Sequence, residues 1–143
     1  MTDAMATPHP ATPAEVASAV LDAIETRPDA FNMDHWALLP DMISLAPKKA
    51  PACGSQLCAA GWTAHLTGWT LVELPYDQQT EVIALDEDGD EYDTLVSVYA
   101  ERGNERRMIG DVAAQALGLR HSETFWYAEA PIALKRLREI AGR

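Results

Sequence analysis

From Ser55 to Thr67 the chain reads Ser-Gln-Leu-Cys-Ala-Ala-Gly-Trp-Thr-Ala-His-Leu-Thr, with no charge unless His65 is protonated. A helix that is small or apolar on nearly every side has no face to offer water, so it belongs at the centre of a domain. Ser55 is placed to cap its start and Gly68 to stop it, which predicts a helix over about 56–66. A glycine in mid-helix, Gly61, costs about 1 kcal/mol relative to alanine, so a neighbour is expected to approach closely there. Together with Leu57, Ala60 and Ala64 it makes a slim face, and Trp36, Phe125 or Trp126 is the natural occupant.

The flanking patterns supply the other elements. Thr12-Pro13-Ala14-Glu15 is a helix start, because the threonine hydroxyl can accept an early N–H, the proline has no donor to orphan, and the glutamate can reach back. Val16, Ala19, Val20, Ala23 and Ile24 then recur at helical spacing up to Pro28. A short helix over about 35–39 is expected behind Asp34, and an exposed loop over about 40–52 from its three prolines and Lys48-Lys49. Strand-like runs lie at about 69–74, 81–85 and 95–99, with Asp88-Gly89 as a hairpin turn. Helices over about 105–117, capped by Asn104, and about 131–141 complete the pattern. The expected fold class is α+β, with four to five helices around a central buried helix and a small antiparallel sheet or hairpin. Residues 1–12 read as a disordered tail and residues 13–143 as a single globular domain, a length able to bury about two thirds of its unfolded surface.

Charge narrows the function classes. Residues 1–100 hold sixteen acids and three bases, while residues 101–143 hold six acids and eight bases, so the net −11 is strongly segregated. An excess of this sign argues against non-specific nucleic-acid binding, which depends on Lys and Arg displacing counterions. Between Glu73 and Asp93 nine acids occur without a base, so a charge-driven partner should carry a basic surface. The candidate protein-binding residues are Asp86, Glu87, Asp88, Asp90, Glu91 and Asp93. Their run resembles a calcium loop, but Gly89 is fourth from Asp86 where an EF-hand needs it sixth, and Ser97 stands where the last glutamate belongs. No apolar run is long enough to span a membrane, and the first residues lack the basic start and apolar core of a secretory signal, so a cytoplasmic location is expected.

Cys53 and Cys58 admit three chemical readings beside a structural one. With His35 they could contribute to a zinc site, whereas Cys58 and His65 are seven residues apart on a helix and cannot easily share an ion. A disulfide requires Cys53 to lie off the helix, and a reactive Cys53 thiolate would have no base fixed nearby in sequence. The structural reading makes Cys58 a small core residue and Cys53 a loop residue. No cofactor is expected, with zinc as the alternative. The tryptophans offer a further reading, a stacking pocket for a nucleotide or small molecule, against the more usual role of core packing.

Cys53-Gly54-Ser55-x-x-Cys58-x-Ala60-Gly61-Trp62 resembles the Cys-Gly-Thr-x-x-Cys-x-Ala-Gly-Trp signature of small uncharacterised proteins of actinobacteria and their phages, with Ser55 in place of the usual threonine. The resemblance extends to Met33-x-x-Trp36 upstream and Ala113-x-x-Ala116-Leu117-Gly118-Leu119 downstream. It implies no particular activity or ligand, and a phage or prophage accessory gene product working in the host cytoplasm. The function expected from these observations is a non-enzymatic protein-binding module that engages a host protein through its acidic stretch. A zinc- or thiol-dependent protein and a tryptophan-based small-molecule binder are the alternatives.

Overall fold

A computed structural model describes residues 10–40 and 42–143. The tail expected over 1–12 falls mostly on residues 1–9, outside the described residues. Helix α1 spans Pro13–Thr26 and starts as its sequence dictates: Glu15 N donates to Thr12 Oγ1 at 3.2 Å, and Thr12 N donates to Glu15 Oε1 at 3.1 Å. Its apolar stripe of Val16, Ala17, Val20, Leu21 and Ile24 is buried. A 3₁₀ turn at Pro28–Ala30 follows the proline stop.

Strands β1 (Ala37–Leu38) and β3 (Gln56–Leu57) pair antiparallel as a small ribbon. The remaining strands are β2 (Ser44–Leu45), β4 (Thr70–Glu73), β5 (Thr80–Leu85), β6 (Glu91–Val96), β7 (Val98–Arg102) and β8 (Glu105–Arg107). They form one six-stranded sheet in the order β2-β4-β7-β8-β5-β6. Its pairs are antiparallel except β5 with β8, so the sheet is mixed. Helices α2 (Ala59–Leu66), α3 (Ile109–Ala116) and α4 (Ala130–Ala141) complete the fold.

The expected arrangement of four to five helices around a central helix, with only a small antiparallel sheet or hairpin, is overturned. Among the described residues there are four α-helices and eight strands, an α+β fold in which the sheet is a principal layer. Helix α1 packs on α4 and α2, α2 packs on α3 and β4, and α3 reaches β7, so α2 and α3 meet the sheet while α4 packs on α1. Cross-strand partners Leu45, Leu71 and Ala100 share one sheet face and join the helices in the main core. Their chain neighbours Val72 and Tyr99 point the other way and meet Val82 in a second, smaller core, flanked by Leu74, Val96 and Met108. Alternation along β4 and β7 thus serves two apolar clusters at once.

The strand expected over 95–99 is instead the end of β6 and the start of β7, which meet at Ser97, and three helix boundaries move for identifiable reasons. The helix expected over 35–39 is strand β1, because Ala37 and Leu38 find partners in Leu57 and Gln56. That pairing also withdraws Gln56 and Leu57 from the helix expected over 56–66, which begins at Ala59. The first turn expected over 105–107 is strand β8, and α3 starts only at Ile109. Gly103, at φ +60°, turns β7 into β8, and Arg106 closes the hairpin on Glu101 at 3.1 Å. No helix among the described residues is long and apolar enough to cross a membrane.

Helix α2 carries one buried titratable group. His65 is 4% exposed, its Nδ1 has no hydrogen-bond partner, and burial pushes its pKa below the ordinary value of 6.5. The unfolded chain therefore binds this proton more tightly than the folded one, and the stability His65 permits is complete above pH 6.5 and lost as pH falls below it. Unfolding by urea, followed from about pH 7.5 down to about 5.5, should show falling stability that His65→Gln flattens. An equal slope in the variant would exclude His65 as the cause.

Candidate functional site

The signature residues form one structural joint. Segment 31–38 lies across the N-terminus of α2, whose first backbone N–H groups have no partners within the helix. Cys58 N donates to the His35 carbonyl at 2.8 Å, Ala59 N to Met33 Sδ at 3.4 Å, and Gly61 N to Cys58 Sγ at 3.4 Å. Cys58 is thus the N-cap, and two sulfur atoms serve as acceptors where oxygen is usual. Ser55, expected in that role, is instead buried, and its hydroxyl has no protein partner. Just before this segment, the Ala30 carbonyl accepts from Trp62 Nε1 at 3.2 Å.

Gly61 explains itself in the same joint. A Cβ built there would collide with the carbonyl oxygen of Trp36, so the close neighbour is the Trp36 backbone rather than an aromatic ring. Freed from that role, the Trp36 ring reaches α3, where its Cη2 and the Trp126 indole crowd Gly110 at 3.1–3.2 Å from a Cβ built on it. Trp36 also meets Tyr127 edge to face, with centroids 6.0 Å apart and planes at 85°.

These side chains line a cleft of about 530 Å³ between residues 31–36 and the turn 126–130 that leads into α4. Phe31, Met33 and Cys58 contribute apolar surface, Trp36, Trp126 and Tyr127 aromatic surface, and Asp34 and Glu129 carboxylates. The four tryptophans do not gather into one pocket. Trp36 and Trp126 share this cleft, while Trp62 is a core residue and Trp69 is covered by the Arg102 guanidinium, 4.2 Å from its ring centroid.

The metal alternative fares differently. Both cysteines are free thiols, Cys53 exposed and Cys58 buried, and the ligand atoms of Cys53, Cys58 and His35 do not converge. Burial pushes the Cys58 thiol up to about 11, so it is protonated at neutral pH and acts as a packing and capping group. Among the described residues, the side chains that do converge as metal ligands could are Asp86, Asp88 and Asp90, exposed at the tip of the β5–β6 hairpin. There Asp86 Oδ1 accepts the N–H groups of Asp88 and Asp90, both at 2.9 Å, and Gly89 turns the chain at φ +83°. The hairpin turn read from Asp88-Gly89 is present.

Strand β6 ends the sheet, so the candidate protein-binding residues lie on an open edge or at its tip. Glu91 and Asp93 belong to β6 itself, while Asp86, Glu87, Asp88 and Asp90 lie at the end of β5 and in the turn. Tyr92 and Leu95, half exposed, accompany them. A second cleft of about 450 Å³ runs beside these strands, with Glu81, Asp93, Glu101 and Glu105 in its lining and Arg106 as its base. Arg107 also braces the hairpin, donating to Glu91 at 2.9 Å. That β6 is an edge was not readable, because edge position depends on which strands meet.

No family model, curated protein or solved structure matches the chain.

Two outcomes are expected from this geometry. Helix propensity alone would make Gly61→Ala stabilising by about 1 kcal/mol, but the Trp36 carbonyl makes it destabilising by about 1–3 kcal/mol or more, because backbone must shift; urea unfolding decides the sign. Alkylation under native conditions near neutral pH should modify Cys53 alone, with Cys58 reacting only in denaturant. Mass spectrometry reads the number of adducts, and two in the folded protein would contradict the buried-thiol assignment.

Proposed function

We propose that this chain is a protein-binding module that receives an extended basic segment of its partner along strand β6. The observation that carries the reading is the position of the acidic stretch at an open sheet edge. An edge strand offers outward N–H and C=O groups to an added strand, and side-chain chemistry then selects the partner. Asp93 and the carboxylates of the tip would supply long-range attraction for lysine and arginine, beside Glu91, which Arg107 already holds. Tyr92 and Leu95 would supply apolar contact. In the neighbouring cleft Arg106 is already engaged by Glu101, which leaves Glu81 and Asp93 available to a cation.

Acidic residues on an edge also prevent self-pairing, since like charges repel a second copy. That property fits a module that must remain open to a partner of opposite charge. The resemblance to actinobacterial and phage proteins supports a phage or prophage accessory factor acting on a host protein. The binding reading is also consistent with the chemistry of Cys58, held as a protonated cap.

A peptide alternating lysine and valine tests the recognition chemistry. Titrated into isotope-labelled protein, it should shift the amide resonances of residues 91–96 and slow their hydrogen exchange. The combined Asp86→Asn, Asp88→Asn, Asp90→Asn and Glu91→Gln variant, and separately Leu95→Lys, should each weaken it about tenfold or more. In parallel, partners captured by the unaltered chain should be basic and lost with both variants. Unchanged binding and an unchanged partner set would remove β6 as the recognition surface.

A further inference from the structure

We propose that the cleft between residues 31–36 and 126–130 is a binding site for an alkylammonium cation, held against aromatic faces and balanced by two carboxylates. It shares no residue with the β6 surface and does not depend on the reading given to that surface.

The aromatic walls come first. Trp36 and Tyr127 stand at 85° with centroids 6.0 Å apart, and Trp126 is a third aromatic member of the lining. An electron-rich ring face attracts a positive charge without hydrogen bonds, and in this edge-to-face contact the ring that offers its edge keeps both of its faces free of the other. Tyr127 is 91% exposed, so core packing does not account for an aromatic at this position. Phe31 and Met33 add apolar surface suited to the methyl or methylene groups around such a charge.

Charge balance decides the sign of the ligand. The lining contains Asp34 and Glu129 and no lysine, arginine or histidine, and neither carboxylate forms an ion pair among the described residues. The N-terminal ends of α2 and α4 also border the cleft, at Cys58 and Ala130. Each helix end is equivalent to about half a positive charge, so two full negative charges outweigh them. At α2 the free N–H groups of Ala59 and Gly61 are moreover already committed to sulfur acceptors. An anion would therefore meet two carboxylates and find those donors taken.

The class of cation follows from solvation. A metal ion needs oxygen atoms gathered around it, and Asp34 and Glu129 do not belong to a converging group of ligands. An unsubstituted ammonium is strongly hydrated and loses that water at a cost that aromatic faces repay poorly, whereas methyl groups reduce hydration and gain apolar contact. A cleft of about 530 Å³ is within the range of small-ligand sites and accommodates a trimethylammonium head with its attached chain. Two sources carry this chemistry, a free quaternary amine and a methylated lysine side chain.

The test uses the full chain and defined probes: choline, Nε-trimethyl-lysine free and within a short neutral peptide, and 3,3-dimethylbutan-1-ol as the uncharged isostere of choline. Binding is read from tryptophan fluorescence and from the indole N–H resonances of Trp36 and Trp126. Choline or trimethyl-lysine should saturate the site, and the uncharged isostere should bind at least about tenfold more weakly. Tyr127→Ala, at an exposed position that leaves the core intact, and the paired Asp34→Asn and Glu129→Gln variant should each lower affinity about tenfold. A peptide preferred about tenfold over the free amino acid would assign the site to a methylated protein, and equal affinity would assign it to a small amine. Equal binding of the uncharged isostere, unaltered affinity in Tyr127→Ala, or no saturable binding of any cation would overturn the proposal.

Discussion

The contact on which the structure depends is the approach of the Trp36 carbonyl to Gly61. Only a residue without a side chain lets an extended strand lie this close to a helix. Around that contact the cap N–H and two orphan donors of α2 find acceptors: His35 offers its carbonyl, Met33 its thioether, and the capping Cys58 its own sulfur. A helix terminus buried without such partners would be strongly unfavourable. The Met33-x-x-Trp36 and Cys58-x-Ala60-Gly61-Trp62 elements are therefore two halves of one interaction. The joint also aims the Trp36 ring at α3, where Gly110 makes room for it, and so creates one wall of the aromatic cleft.

The sheet contributes a second constraint. Because β4 and β7 alternate between two apolar clusters, the β5–β6 hairpin is held by the smaller core of Val72, Val82 and Tyr99 and by β8. It is tied to the helices as well: Leu85 N donates to Asp111 Oδ2 at 3.0 Å, and burial of Asp111 raises its pKa. The acidic edge is thus a strand on a braced sheet rather than a loose loop. This gives the charge read from the sequence a defined place, along β6 and at the hairpin tip.

Much of the local structure was legible. The capping box at Thr12 and Glu15 placed the start of α1, the uncharged run placed α2 among buried residues, and Asp88-Gly89 placed the β5–β6 turn. Strands of two or three residues were not legible, since β1, β2, β3 and β8 are too short to show a period. Glu105-Arg106-Arg107 fits the start of a helix capped by Asn104, although Gly103-Asn104 is also a two-residue hairpin signal that identifies the turn from β7 to β8. The slim face at Gly61 is legible from its small residues, but its occupant is a peptide carbonyl rather than an aromatic side chain.

By itself the amino-acid sequence determined which segments must avoid water, where α1 begins, where the β5–β6 hairpin turns, and where negative charge accumulates. These depend on side-chain type and on spacing within a few residues. Only the tertiary structure decided that β6 is an edge, that sulfur caps α2, and that Trp36 and Tyr127 meet beside Asp34 and Glu129. Residues about ninety positions apart become neighbours through the packing of strands and helices, and local pattern carries no record of that packing.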